Sequence, residues 1–351
     1  MPGKRSEKEE CCVKPILEVV NLNKEFPVKG MWWQTKGAVS AVKDVSLSLK
    51  PQGTLGIVGE SGCGKSTLAR LILRLIEPDS GEVRLRGDDI LPYKGSKLLQ
   101  VRKNMQMVFQ NPYSSLNPKM TLLENVAFNL YVNGVSKHDA RKKAHHYLEA
   151  VGLPKAFAER YPGSLSGGQR QRVAIARALV LEPDIIIADE AVSALDKSVQ
   201  AQVLNLFQDL KKEFSLSLLF ISHDLNVVEY MSDEVMVMYL GTVVEKGSAQ
   251  QMYAHPYHPY TQALLHSAPS MDVGSPAVHK HFDIKGELPS PMNPPSGCRF
   301  RTRCPYAEER CAQSAPPMVE VSPGYEVACF LYETGHDREK VSHGTGYTVD
   351  N

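Results

Sequence analysis

The sequence carries no surplus of either charge: 40 Lys and Arg face 39 Asp and Glu, for a formal net charge of +1. A chain without a strong positive field is a poor polyanion binder, so no nucleic-acid partner is expected. Nor is there any run approaching the roughly 18 apolar residues that a membrane-spanning helix needs, so a membrane role must come through partner subunits. The opening "MPGKRSEKEECCVKP" lacks the apolar core of roughly 7 to 15 residues that makes a signal peptide. Its mixed charges read as a disordered cytosolic leader over 1–14, with Cys11 and Cys12 incidental, and structural disulfides are not expected further on. Internal repeats are absent too. The 351 residues suffice for one large domain and a smaller appendage.

What is present is a hydrophobic pattern that changes period along the chain. From "ILEVVNLNKEF" (16–26) through "SAVKDVSLSLKP" (40–51) apolar and polar residues tend to alternate, which predicts antiparallel strands with one solvated face. Short continuous apolar runs follow at "TLGIVG" (54–59), "NMQMVFQ" (104–110), "DIIIADE" (184–190) and "LSLLFISH" (216–223). They predict strands buried on both faces of a largely parallel sheet. Helical spacing lies between them, at 66–76 and at 167–180, where Val173, Ala176 and Val180 share a face. A third helix is predicted over 136–153, opened by Ser136 and Asp139 at capping-box spacing and closing near Gly152. Its many basic residues read as a solvated face. After about residue 255 proline becomes frequent, which predicts a compact, loop-rich appendage.

"GESGCGKST" (59–67) fits G-x-x-x-x-G-K-[ST] and sits between an apolar run and a helical pattern. Gly59, Glu60, Ser61, Gly62, Cys63, Gly64, Lys65, Ser66 and Thr67 are therefore read as a cradle for ATP phosphates. Backbone N–H groups and a helix N-terminus face the anion, Lys65 reaches the β and γ oxygens, and Ser66 ligates Mg²⁺. Cys63 fills a variable position and needs no redox role. "IIIADE" delivers Asp189 and Glu190 at a strand end, which suits Asp189 near Mg²⁺ and Glu190 polarising an attacking water. Four apolar runs thus end in polar groups: the glycine loop, Gln110, Asp189 with Glu190, and His223. In an open α/β sheet these endings should converge on one nucleotide.

"LSGGQRQRVAIARAL" (165–179), lying between these two sites, resembles the nucleotide-binding subunits of ABC transporters, and the resemblance covers roughly residues 15–330. It implies an α/β fold: a P-loop ATPase with a RecA-like core, an antiparallel β layer and a helical subdomain at about 111–180, all within 15–257. A small loop-rich, Cys-containing domain would follow over 258–332, then a flexible tail over 333–351. The resemblance makes Gln110 the Q-loop glutamine, a further Mg²⁺ contact and a catalytic group beside Glu190 and the switch residue His223. It makes Leu165, Ser166, Gly167, Gly168 and Gln169 the signature that closes on ATP held by the opposite subunit. Ser193, Ala194, Leu195 and Asp196 become the D-loop, and Phe26 the aromatic that stacks on adenine. The glycines of the signature present N–H groups at a helix start that an anion must approach closely. Two departures stand out: Ala191 where the family usually has proline, and Lys197 where related chains often carry an apolar residue.

Within that family, "HPYTQALL" (258–265) and "GELPSPMNPPSGC" (286–298) resemble the C-terminal extension of dipeptide and oligopeptide importer ATPases. This implies ATP hydrolysis coupled to peptide uptake. The implied partners are a paralogous ATPase subunit, two membrane permeases and an extracytoplasmic binding protein, at the cytoplasmic face of a bacterial inner membrane. The insertion beginning "NPYSSLNPKM" (111–120) would meet the permeases. Importers of nickel chelates, glutathione or another small solute are a related alternative; a soluble ABC-type ATPase or a redox sensor is one of another class. Cys298, Cys304, Cys311 and Cys329 follow the spacing C-x5-C-x6-C-x17-C, which matches neither zinc knuckles nor common ferredoxin runs and leaves zinc, an iron-sulfur cluster and free thiols open. The resemblance implies a 4Fe-4S cluster at these four.

Overall fold

The structure is a computed structural model and describes residues 14–29, 35–267 and 286–333. The expected leader, apart from Lys14, and the expected tail beyond Glu333 lie outside the described residues. In chain order the strands are β1 (Leu17–Lys29), β2 (Thr35–Leu49), β3 (Thr54–Val58), β4 (Ser80–Leu85), β5 (Asp88–Asp89), β6 (Met105–Val108), β7 (Ile185–Asp189), β8 (Ser217–Ile221), β9 (Glu234–Tyr239), β10 (Thr242–Ser248), β11 (Val319–Ser322) and β12 (Tyr325–Val327). The helices are α1 (Lys65–Ile72), α2 (Gly95–Asn104), α3 (Pro112–Ser115), α4 (Leu122–Tyr131), α5 (Lys137–Ala150), α6 (Gly167–Leu179), α7 (Lys197–Glu213), α8 (Leu225–Met231), α9 (Ala249–Ala254), α10 (Pro259–Ser267) and α11 (Arg310–Gln313).

The alternating N-terminal segment forms the expected antiparallel layer, in the order β2-β1-β4-β5. Its buried Leu17, Val19, Val42 and Val45 pack with Ile57, Ile187 and Leu219 on one face of the large sheet. On the opposite face Ile186, Leu218 and Phe220 pack with Val173 of α6 and Val203 and Phe207 of α7. Residues of both parities along β7 and β8 are therefore buried, which is why these runs show no alternation.

The large sheet has the order β11-β12-β10-β9-β3-β8-β7-β6, parallel from β9 to β6. β6 departs from the expectation of burial on both faces: Met105 and Val108 are buried but Gln106 and Met107 only partly, because β6 is the sheet edge. α1 is shorter than the predicted 66–76, since Arg74 turns to a left-handed φ of 51° and buries its guanidinium against the carbonyls of Ile90 and Tyr93. α5 is capped by Ser136, which accepts from the Asp139 N–H, and closes at Gly152 with φ of 76°.

The proline-rich end of the chain is not free-standing. β12 pairs with β10 through Glu245↔Val327 and Lys246↔Glu326, and β11 pairs with β12. Phe300 and Tyr325 are buried with Tyr239 and Tyr260 in one aromatic cluster, so this segment takes its core from the large sheet.

Candidate active site

β3, β8, β7 and β6 lie side by side and parallel, so their C-terminal ends open on one edge of the sheet. β3 runs into the glycine loop and on into α1. A Cβ on Gly59 would lie 2.2 Å from the Met238 carbonyl oxygen, and one on Gly64, at φ 106°, 2.2 Å from that of Ala41. Backbone approach, as well as the turn, requires glycine at both. Ser61 and Gly62 form the exposed crest; Cys63 is buried, and burial raises its thiol pKa despite the Lys65 charge, in keeping with a packing role. Lys65 is 4% exposed, and its ammonium donates to the carbonyls of Gly59 (2.7 Å) and Glu60 (3.1 Å). In the next turn the Ser66 hydroxyl donates to Asp189 Oδ1 at 2.8 Å, and Thr67 follows, half-buried.

Asp189 closes β7. Burial holds its carboxyl above the ordinary carboxylate range, with the Ser66 hydrogen bond opposing. Glu190 takes a left-handed φ of 48°, and its N–H donates to the Ile221 carbonyl at 2.9 Å. Its Oε2 accepts from Gln110 Nε2 at 2.9 Å and lies 3.5 Å from His223 Nδ1. The four strand endings do meet, as a pair and a trio: Ser66 with Asp189, and Gln110 with Glu190 and His223. The hydrogen bonds of Gln110 go to Glu190 and Ser193, so the Ser66–Asp189 pair is made without it. Phe26 stands half-buried opposite Val39, two residues along β2 from the Ala41 carbonyl that abuts Gly64. Lys24 lies over its ring at 5.6 Å.

Ser166 caps α6 in a reciprocal box with Gln169, accepting from its N–H at 3.3 Å while Gln169 Oε1 accepts from the Ser166 N–H at 3.1 Å. Sequence reading missed this box, although S-x-x-Q before a helical pattern is its signal. Leu165 is buried, and a Cβ on Gly167 would make ordinary contact with Leu195 at 3.5 Å. A Cβ on Gly168 would meet Val199 Cγ1 at 2.2 Å, so the close approach that this glycine permits is to α7. Among the described residues no hydrogen bond or ion pair joins 165–169 to 59–67. After Glu190, Ala191 and Val192 enter the core, Ser193 donates to the Glu190 carbonyl at 2.9 Å, Ala194 is exposed, and Asp196 caps α7 by accepting from the Val199 N–H at 3.0 Å. Those hydrogen bonds hold the Asp196 carboxyl below its usual range. Lys197 reaches Asp224 Oδ2 at 2.8 Å, which accounts for a charge in that place.

Residues 42–193 match the ABC transporter family, and residues 244–311 match the family described as the C-terminal region of oligopeptide/dipeptide transporters. The oligopeptide transport ATP-binding protein AppF of Bacillus subtilis is 50% identical over 321 residues, covering 90% of this chain and 97% of that one. The chain belongs to the ABC transporter ATP-binding proteins. The dipeptide transport ATP-binding protein DppF of Escherichia coli is 45% identical over 336 residues, 95% of this chain and 100% of its own. Among solved structures, CbiO1 from Clostridium perfringens, part of the ABC transporter complex CbiONQ, superposes with a TM-score of 0.60 at 27% identity, covering 69% of this chain and 92% of that one. A dimeric post-hydrolysis ATP-binding cassette bound to ADP and Pi gives 0.59 at 31% identity, covering 66% and 98%. In an ABC ATPase, ATP and Mg²⁺ are the expected ligands of the edge just described, and no helix among the described residues is long and apolar enough to cross a membrane.

In this ABC protein's C-terminal segment Cys298, Cys304, Cys311 and Cys329 line one cavity, together with Arg301 and Arg310. Cys329 lies beyond the residues matched to the peptide-transporter tail. Gly297, at φ 63°, lets the chain pass where a Cβ would lie 2.3 Å from the Cys311 carbonyl, and the Cys298 N–H donates to that carbonyl at 2.8 Å. Burial, with the neighbouring sulfurs adding to it, pushes the thiol of Cys304 up to about 11 and that of Cys329 up to about 12. Among the described residues no group of three or more His, Cys, Asp or Glu side chains is placed to hold a metal ion, so the expected 4Fe-4S centre at the four cysteines finds no support in this geometry.

Proposed function

We propose that this ABC protein is the ATP-hydrolysing subunit of an importer that drives dipeptides or oligopeptides through partner permeases. The observation that carries this is the pairing of a full ATPase edge with a tail of the oligopeptide/dipeptide transporter type, in relatives matched over nearly their whole length. Its partners are a paralogous ATPase, two permeases and an extracytoplasmic binding protein, and it works at the cytoplasmic face of the inner membrane. Residues 15–257 act as the nucleotide-binding domain, with 111–180 as its helical part, and 258–332 as the extension.

Lys65 and the loop N–H groups of 59–67 bind the phosphates, and Phe26 stacks on adenine. Ser66, Asp189 and Gln110 would hold Mg²⁺, which would supply charge neutralisation at the phosphates. Glu190 orients and polarises the attacking water, and Gln110 and His223, on either side of it, register the γ-phosphate. Residues 165–169 and 193–196 face the ATP of the opposite subunit. Burial raises the Asp189 pKa against the opposing Ser66 hydrogen bond and the charges of Arg70 and Lys65, which suits a carboxylate that a bound cation would stabilise.

The four cysteines are assigned to a 4Fe-4S cluster. Four thiols lining one cavity are the residues that would hold such a cluster. Bound there, the cluster would cross-link the segments that carry these cysteines. Anaerobically purified protein should be brown, absorb near 400 nm and hold about four irons per chain; colourless protein holding zinc overturns the assignment. For transport, the test is reconstitution with the partners. Peptide-loaded binding protein should stimulate ATP hydrolysis, and stimulation by a different solute class with none by peptides would refute peptide import.

A further inference from the structure

The segment carrying Cys298 and Cys304 is joined to the ATPase through Arg299, Phe300 and Arg303. Arg299 donates to the Leu240 carbonyl, and Phe300 is buried edge-on against Tyr239 at 5.3 Å between ring centroids. One terminal nitrogen of Arg303 lies 2.9 and 3.0 Å from the two carboxylate oxygens of Glu60, the second residue of the phosphate loop. The same loop residue is held from the other side of its backbone. Its N–H donates at 2.9 Å to the hydroxyl of Tyr260, which lies in the "HPYTQ" stretch and is fully buried against Phe300 and Tyr239.

This contact bears directly on the cradle. The Glu60 carbonyl accepts from the Lys65 ammonium at 3.1 Å, beside the Gly59 carbonyl at 2.7 Å and the Cys63 sulfur at 3.7 Å, so where residue 60 sits bears on where that lysine is held. Glu60 also brings a negative charge to a loop whose ligand is a polyanion, and a carboxylate there repels phosphate unless it is neutralised. The Arg303 side chain is only 9% exposed and that of Glu60 24%, so the pair is screened by water far less than a surface ion pair.

We propose that Arg303, supplied by the C-terminal extension, is a positioning residue of the ATP site: it neutralises Glu60 and, with Tyr260, holds the start of the phosphate loop. The inference rests on the reading of 59–67 as the ATP cradle. It assigns the extension a part in nucleotide affinity beyond any part in cargo or partner choice.

The experiment is a titration of the purified full chain with a fluorescent MgATP analogue, followed by KM and kcat in the reconstituted transporter. Wild type must bind and Lys65→Ala must not; failure here strikes the reading of the cradle itself. Arg303→Ala should then raise the dissociation constant and KM about tenfold, as expected for loss of a charge-assisted contact that leaves its partner unpaired, with kcat changed less than about twofold. Adding Glu60→Gln to Arg303→Ala should bring affinity back to within about twofold of wild type, a rescue that damage to tail packing alone would not allow. Glu326→Gln, which weakens the tail's ion pair with Lys246 away from the loop, should leave ATP affinity unchanged. If Arg303→Ala fails to fold, Arg303→Gln keeps a donor in place but removes the charge, and should weaken affinity in the same direction by a smaller factor, again relieved by Glu60→Gln. Wild-type affinity in the Arg303 variants, or an Arg303→Ala loss that Glu60→Gln does not relieve, overturns the proposal.

Discussion

Glu190 is held by three unlike constraints at once: a left-handed backbone, a main-chain bond to β8, and a side chain shared by Gln110 and His223. A non-glycine residue in that conformation costs on the order of 1–3 kcal/mol and persists only where its surroundings fix it. Glu190→Gln keeps the shape and removes the charge proposed to polarise water. Hydrolysis in the assembled transporter should fall about 10²- to 10⁴-fold with ATP binding largely kept, and near-normal turnover would take Glu190 out of its assigned role. The Asp-Glu pair and the lysine were legible because strand-end carboxylates and G-x-x-x-x-G-K-[ST] are local patterns. That Gln110 bonds Glu190, and not the Ser66–Asp189 pair, was not legible, since hydrogen-bond partners 80 residues apart in sequence are chosen by the sheet's strand order.

At the scale of elements, α6 and α7 show how one residue type serves two ends. Glycine at 168 reads from sequence as an anion-approach residue, and in the fold it is also the contact through which α6 lies against Val199. Gly168→Ala gains at most about 1 kcal/mol in helix propensity, whereas overpacking costs roughly 1–3 kcal/mol, so the overlap should win. Thermal melts should show a lower midpoint for Gly168→Ala, little change for Gly167→Ala, and recovery when Val199→Ala is combined with the former. An unchanged midpoint for Gly168→Ala would mean that α7 can shift at no cost. Other elements turned on neighbours that no local period records. α1 ends early because Arg74 finds buried carbonyls, and β6 is half-exposed because nothing pairs beyond it among the described residues.

For the whole molecule, the decisive feature is how the extension joins the sheet. Glu245 of β10, fully buried, accepts from the N–H groups of Tyr257 (2.6 Å) and His258 (3.1 Å) and from the Tyr325 hydroxyl (2.7 Å), tying three chain segments together. Beside it His258 accepts the Tyr260 N–H on Nδ1 at 3.0 Å, and burial depresses its pKa to about 3. Unfolding frees that imidazole to titrate near its ordinary value of about 6.5, so between about pH 6.5 and 3 the unfolded state binds the extra proton and stability falls with pH. Glu245, raised by burial, has the opposite sign, but it is common to both chains in a comparison of wild type with His258→Asn. Denaturant melts between pH 7 and 5 should show wild type losing up to about 1.4 kcal/mol per unit relative to that variant below pH 6.5. Parallel curves would show that His258 is accessible to protons in the fold.

The sequence by itself marked out the ATPase motifs of this protein: the glycine loop, the strand-end carboxylates and the signature helix each lie within about fifteen residues, and backbone sterics and helix-end electrostatics give such stretches meaning without their neighbours. The layered sheet followed too, because burial on one face or two leaves a period in the chain. Only the tertiary structure decided that the proline-rich extension shares the ATPase core, that its four cysteines ring one cavity, and that Arg303 reaches back 243 positions to Glu60. An ion pair between distant segments leaves no trace in local pattern, since any arginine and any glutamate would read the same until the fold brings two of them together.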